Sequence, residues 1–163
     1  MNALQTTLND ACKALNIGAH VQAHLDSLWC EIDKKNLLPF AQILQGMNAR
    51  VCMITAYNHE KGHLLVYHFD VDGVMLNLKV LVEDKCVPSI TPFFKSADWT
   101  ERELSELYGI RLENHPNPSR LFIDDAIKEE VLKEYYTLSS MMSGKINETL
   151  WSRVKAQKEV VRG

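Results

Sequence analysis

Apolar positions at the start of the chain follow helical spacing. They recur every three or four residues, at Leu4, Leu8, Cys12 and Leu15. Gly18 follows as a stop, so the pattern predicts an amphipathic first helix. A second dense apolar run covers residues 37–44 and is bounded by Gly46, with Pro39 tolerated in the first turn. This run predicts a second helix.

The middle of the chain changes to the β-rich pattern of strands. Three such runs cover residues 51–57, 63–70 and 74–82. The last two are separated by a segment containing Asp72-Gly73, a pair that is typical of tight hairpins. Residues 21–33 alternate less regularly and predict one earlier strand that joins these three. The predicted fold class is therefore α+β, with an antiparallel or mixed sheet of about four strands and helices packed on one face.

The segment from Ser89 to Ile110 combines an extended approach, a charged helix start and a glycine stop. Asp98 is placed to cap a helix, and Glu101 follows three residues later, which is the spacing of a capping box. The helix itself is expected to cover residues 99–108. Gly109 is placed to adopt the left-handed conformation that ends many helices.

The charges on this predicted helix have both structural and functional interpretations. Glu101 can serve only as a cap, and Arg102 with Glu106 can form an exposed pair that contributes a few tenths of a kcal/mol. Glu103 is harder to explain by structure alone, because it borders an apolar stripe where a carboxylate needs a partner cation. The residue pattern leaves both interpretations open.

Composition narrows the class of protein. The chain has 163 residues, of which 46% are hydrophobic, enough for one sizeable core. A formal net charge of -3 would repel a phosphate backbone, so nucleic-acid binding is not expected. The sequence has neither a secretory pattern at its N-terminus nor an apolar run that could span a bilayer, which predicts a soluble intracellular chain. Residues 1–140 are expected to form one α+β domain.

Residues 141–163 are expected to form a separate amphipathic helix or tail. Its apolar stripe is accompanied by basic residues, among them Lys145, Arg153 and Lys158. Such a segment can lie on an anionic membrane surface or in the groove of a partner. It can equally pack on the domain or remain a solvated basic face.

No metal or cofactor site is predicted. No C-x-x-C pair is formed by the four cysteines, Cys12, Cys30, Cys52 and Cys86. His63 and His68 are an odd number of residues apart and would face opposite sides of a strand. A stand-alone metal-binding or small enzymatic domain that uses Glu103 and Glu106 with a histidine is the alternative, although the chain lacks a nucleophile elbow and a phosphate-binding loop.

Short motifs at fixed offsets resemble a known family. They are Ser89-Ile90-Thr91-Pro92, Ala97-Asp98-Trp99, Glu101-Arg102-Glu103, Glu106-Leu107-Tyr108-Gly109-Ile110 and His115-Pro116. Together they resemble the signature of the thirty-kilodalton peripheral-arm subunit of respiratory complex I, a module shared with membrane-bound nickel-iron hydrogenases and formate hydrogenlyases. The signature covers about residues 89–122, and the preceding helix and strand pattern fits the rest of the domain.

The chain departs from that family pattern in two places. The family commonly has two adjacent basic residues after the His-Pro turn, whereas here Ser119 precedes a single Arg120. A following Pro-Leu-Arg-Lys-Asp-Tyr-like block is only faintly echoed by residues 131–135. The contacts made by that block are therefore not predicted for this chain, and the short chain favours the hydrogenase-like branch over the NADH dehydrogenase branch.

The resemblance implies a cofactor-free structural or assembly subunit with no catalytic, cofactor-binding or metal-binding residues of its own. Its implied partners are the large catalytic-core subunit and the iron-sulfur small subunit of a membrane-bound hydrogenase or NADH:quinone oxidoreductase. The implied location is the inner face of the cytoplasmic membrane, with membrane contact only indirect or through the basic C-terminal segment. The residues expected in partner or network contacts are Trp99, Glu101, Arg102, Glu103, Tyr108, His115 and Arg120.

Overall fold

The computed structural model describes residues 2–122. It contains the helices α1 (Asn2–Ala14), α2 (Leu37–Gly46) and α3 (Asp98–Tyr108), with short 3-10 turns at Lys34–Asn36 and Lys95–Ala97. Its strands are β1 (Gln22–His24), β2 (Ser27–Ile32), β3 (Arg50–His59), β4 (Gly62–Val71), β5 (Val74–Val82), β6 (Cys86–Pro88) and β7 (Arg111–Glu113). The predicted C-terminal helix and the faint motif at 131–135 lie outside the described residues.

The main sheet has five strands in the order β1-β2-β5-β4-β3. Strands β3, β4 and β5 form an antiparallel meander, and β2 joins it by pairing in parallel with β5. The prediction of an α+β fold with a mixed sheet is confirmed. The single strand expected over residues 21–33 is wrong in one respect, because the chain reverses at Leu25, where φ is 52°, and forms β1 and β2. Strands β6 and β7 form a separate parallel pair.

The core lies between one face of the main sheet and the helices. Alternate residues of β4 and β5, such as Tyr67, Phe69 and Leu78, are fully or almost fully buried on that face. Helices α1 and α2 contribute Leu8 and Phe40 to the same apolar cluster. Each of these helices and strands has one apolar face, and the faces pack against each other. Their burial explains how the amphipathic pattern of the sequence leads to helices packed on the sheet.

Helix α3 packs beside the outer strand β3. The Tyr108 hydroxyl donates a hydrogen bond of 3.0 Å to the Ala56 carbonyl of β3. The Tyr108 ring meets the ring of His63 edge to face at a centroid separation of 5.7 Å. His68 lies on the opposite sheet face and hydrogen-bonds Asn77 at 2.6 Å. The predicted separation of the two histidines is therefore confirmed.

Among residues 2–122, no helix is both long enough and apolar enough to cross a membrane. The same residues contain no group of three or more histidine, cysteine, aspartate or glutamate side chains that could hold a metal ion. All four cysteines are free thiols.

Candidate docking site

The start of α3 differs from the predicted capping box. Ala97 occupies the cap position without a side-chain cap bond, and Asp98 is already helical, with φ -47° and ψ -56°. The reason is the preceding 3-10 turn, in which the Ala97 amide already donates to the Phe94 carbonyl at 2.9 Å. Glu101 is thus free to turn inward. At the other end, the prediction for Gly109 is confirmed, since its φ is 65°.

Glu101 is the centre of a buried polar cluster. Its carboxylate accepts hydrogen bonds from the Ser89 hydroxyl at 2.5 Å, the Ile90 amide at 2.7 Å and the Thr91 hydroxyl at 2.8 Å. The residue is only 1% exposed. A carboxylate that accepts three donors satisfies most of its hydrogen-bonding capacity within the protein. The interaction ties α3 to the segment that follows β6.

His115 closes the cluster from the other side. Its Nδ1 accepts a hydrogen bond of 3.0 Å from the Asn117 amide, so the proton of the ring is placed on Nε2. That Nε2 lies 3.3 Å from the Thr91 hydroxyl, 3.3 Å from Asp98 Oδ1 and 3.5 Å from Glu101 Oε2. The Glu101 cluster, meaning Glu101, Ser89, Thr91 and His115, therefore joins α3 to the chain on both sides of it.

Burial and hydrogen bonding act on Glu101 in opposite directions. Removal from water raises the pKa of the Glu101 carboxyl, while the donors from Ser89, Ile90 and Thr91 and the nearby His115 oppose the rise. The net direction is upward from the ordinary value of 4.5. Proton binding to Glu101 is therefore favoured by folding.

This raised pKa predicts a pH dependence of stability. Above pH 4.5 and up to the raised pKa, the folded chain holds the Glu101 proton more tightly than the unfolded chain does. The part of the free energy of unfolding that comes from this pKa shift is present in full below 4.5 and is lost as pH rises through the folded pKa, while the hydrogen bonds that the carboxylate accepts remain. Urea unfolding of the wild type and of Glu101→Gln should show the wild-type advantage shrinking with pH. An advantage that grows with pH would contradict the assignment.

The outer charges of α3 hold the chain segment that follows the cluster. Arg102 donates to the Ser119 carbonyl at 2.7 Å and to the Arg120 carbonyl at 2.8 Å. Glu106 accepts from the backbone amides of Leu121 and Phe122. The expectation of an exposed Arg102–Glu106 pair is wrong, because Glu106 is only 8% exposed and both side chains bind residues 119–122. These residues form a strap along α3.

The strap brings an aromatic residue next to the exposed Trp99. Trp99 is 63% exposed and Phe122 is 69% exposed. Their rings meet edge to face with centroids 6.4 Å apart. Glu103, one helical turn from Trp99, is partly buried, and its carboxylate has no hydrogen bond or ion pair to any residue within 2–122. Trp99, Glu103 and Phe122 form the candidate docking surface, called the docking surface below.

The predicted contact residues therefore separate into two groups. Glu101, Arg102, Tyr108 and His115 make contacts within the chain. Trp99 is exposed and Glu103 is partly buried, and Arg120 is exposed while its carbonyl accepts a hydrogen bond from Arg102. The roles of Ser89, Thr91 and Phe122 were not predicted from the sequence. Ser89 and Thr91 belong to the recognised motifs, but no partner was assigned to them.

The fold and the site together define a small α+β module with a buried structural carboxylate and an aromatic surface. The family described as the thirty-kilodalton subunit of respiratory-chain NADH dehydrogenase matches residues 30–145, and the chain belongs to this family. The predicted resemblance is thus confirmed.

Among the curated relatives are proteins named as subunits of quinone oxidoreductases. The chain is 30% identical over 128 residues to NAD(P)H-quinone oxidoreductase subunit J of Prochlorococcus marinus (strain NATL2A), covering 69% of this chain and 73% of that protein. It is 35% identical over 95 residues to a subunit of the NADH-quinone oxidoreductase of Mesorhizobium japonicum, covering 56% of this chain and 47% of that protein. The match therefore spans about half the length of the second relative.

Two solved structures share the fold. A trypsin-resistant fragment of Nqo5 superimposes with a TM-score of 0.54 at 24% identity, covering 70% of this chain and 98% of the fragment. A chain of the membrane-bound sulfane sulfur reductase, an archaeal respiratory membrane complex, gives a TM-score of 0.64 at 18% identity, covering 76% of this chain and 78% of that one. At these identities the likeness concerns the fold.

Proposed function

We propose that the chain is a non-catalytic subunit of a membrane-associated oxidoreductase and docks on its large catalytic-core subunit. The observation that carries the proposal is the aromatic pair of Trp99 and Phe122, exposed on the family's signature helix and the strap beside it. Clustered exposed aromatic residues are typical of the centres of protein interfaces. Relatives named as subunits of quinone oxidoreductases support the same class.

The chemistry of the carboxylates supports a structural role. A general base must reach a proton on its substrate within hydrogen-bond distance. Glu101 is buried with three donors of the chain itself, and Glu106 accepts backbone amides of the strap. Neither carboxylate is available to an external substrate in this arrangement. Because Glu106 is engaged by the strap, the arrangement argues against the alternative of a small enzyme that uses Glu103 and Glu106 as a pair.

Glu103 gives the partner surface a chemical requirement. A partly buried carboxylate next to an aromatic pair is stabilised by an arginine or lysine that approaches from the partner. We therefore infer that the large subunit presents an apolar recess for Trp99 and Phe122, with a basic residue at its border. The iron-sulfur small subunit is the proposed second neighbour. In this arrangement the chain is held at the inner face of the cytoplasmic membrane through its partners.

Site-specific crosslinking tests the proposed contact. A photoreactive amino acid at position 99 of the full chain should crosslink to the large subunit in intact membranes of the native host. The same amino acid at Glu60, in the exposed β3–β4 turn, serves as the control and should give no such product. Capture of the large subunit from position 60 and not from position 99 would contradict the proposed surface.

A further inference from the structure

The turn between β1 and β2 contains a leucine, Leu25, in a backbone conformation that disfavours leucine. The register pairs His24 with Ser27, so Leu25 and Asp26 form a two-residue turn. Leu25 has a φ of 52°. The first position of such turns with positive φ is normally filled by Gly, Asn or Asp, because a larger side chain crowds the backbone there. Leucine is therefore a poor choice for forming this turn.

Leu25 is also the most exposed large apolar residue within 2–122, at 83%. Burial of a leucine side chain is a main source of folding stability, and Leu25 contributes little of it. Two unfavourable features thus coincide at one position. Backbone strain at Leu25, a residue that contributes little to folding stability, points to a role other than folding.

The edge of β1 is an unsuitable template for an added strand. It has only three residues. The backbone of Val21, just before it, is already satisfied by α1, since its amide donates to Asn9 at 2.8 Å and its carbonyl accepts from Gln5 at 2.9 Å. A partner at this edge would therefore be engaged by the side chain of Leu25 and not by strand pairing.

The surroundings of Leu25 indicate what the partner is like. Because β2 and β5 are parallel and Ser27 pairs with Met75, the turn before β5 lies at the same end of the sheet. Met75 is 38% exposed there, and Asp26 and Asp72 add exposed carboxylates, with His24 as the nearby titratable group. Carboxylates repel an anionic lipid surface and suit a protein pocket with a basic border.

We propose that Leu25 inserts into an apolar pocket, bordered by basic residues, on a second protein subunit of the complex. The proposal rests on the proposed function. Strand β1 and strand β3, beside which α3 packs, are opposite edges of the five-stranded sheet. At roughly 4.8 Å per strand the two edges are about 19 Å apart. The Leu25 contact is therefore separate from the docking surface and lets the chain bridge two subunits.

The test uses variants in which stability and assembly change in opposite directions. Leu25→Asn and Leu25→Gly relieve the strained turn, so the purified chain should melt a few degrees higher than the wild type. The same variants should reduce retention of the chain in the purified complex about tenfold. Leu25→Met keeps an apolar side chain and should retain assembly. Leu15→Asn, which removes another exposed leucine, is the matched control and should leave assembly unchanged.

Each outcome is decisive. Wild-type retention of Leu25→Asn, while Trp99→Ala is lost from the complex, would overturn this inference and leave the proposed function standing. A wild-type chain that enters no complex would overturn both. Binding of the purified chain to anionic phosphatidylserine vesicles that is lost in Leu25→Asn would assign the residue to lipid and overturn the protein pocket.

Discussion

Glu101→Ala is expected to destabilise the purified chain by about 3 kcal/mol at neutral pH. The substitution removes the acceptor of three hydrogen bonds at once. Three buried donors then lack this acceptor: the Ser89 hydroxyl, the Ile90 amide and the Thr91 hydroxyl. Each buried group left unsatisfied costs about 1–3 kcal/mol, and the three effects add incompletely because the donors share one acceptor. The space left by the carboxylate adds a smaller loss of packing.

Glu103→Ala is the matched control for this effect. It removes the same side chain two residues away, where no hydrogen bond or ion pair to residues 2–122 is lost. A change within about 0.5 kcal/mol is expected there. Urea unfolding followed by circular dichroism measures both values. Equal destabilisation by the two substitutions would contradict the structural role of the Glu101 cluster.

The double substitution Trp99→Ala with Glu103→Lys is expected to reduce binding to the large subunit at least a hundredfold. Truncation of a central aromatic residue and reversal of a paired charge each cost about 2 kcal/mol or more at an interface. Within the isolated chain the loss is small, because Trp99 is 63% exposed and its described ring contact is to Phe122. The melting temperature should therefore change by only about 1–3 °C.

Tyr57→Ala and Glu60→Lys are the controls for this prediction. Tyr57 is a 55% exposed aromatic residue on β3, and Glu60 is an exposed carboxylate in the following turn. Their substitution changes the same chemical groups without touching the docking surface. Binding should remain within about threefold of the wild type. If the controls weaken binding as strongly as the double substitution, the interface is not centred on α3.

The long elements of the fold could be predicted because their burial has a regular period. Strands β3, β4 and β5 and helix α2 each place an apolar stripe toward the core, and their positions were predicted within a few residues. Strand β1 was missed because it is three residues long and none of the three is buried. The turn beside it contains leucine in place of the residues that mark such turns.

The roles of the charges could be predicted only in part. A capping box is a local interaction, and local spacing suggested it for Asp98 and Glu101. The partners that Glu101 actually has, Ser89 and Thr91, lie 12 and 10 residues earlier in the chain. His115 reaches the same cluster from the other side of α3. Contacts across such distances are set by tertiary packing, which residue spacing does not encode.

The most direct test of the proposed docking is quantitative affinity purification of the tagged full chain from membranes of the native host. We expect the large catalytic-core subunit to be recovered in a one-to-one ratio with the wild-type chain and to be lost with Trp99→Ala plus Glu103→Lys. Recovery of the wild-type chain alone, from cells that make the complex, would contradict a role as a docked subunit.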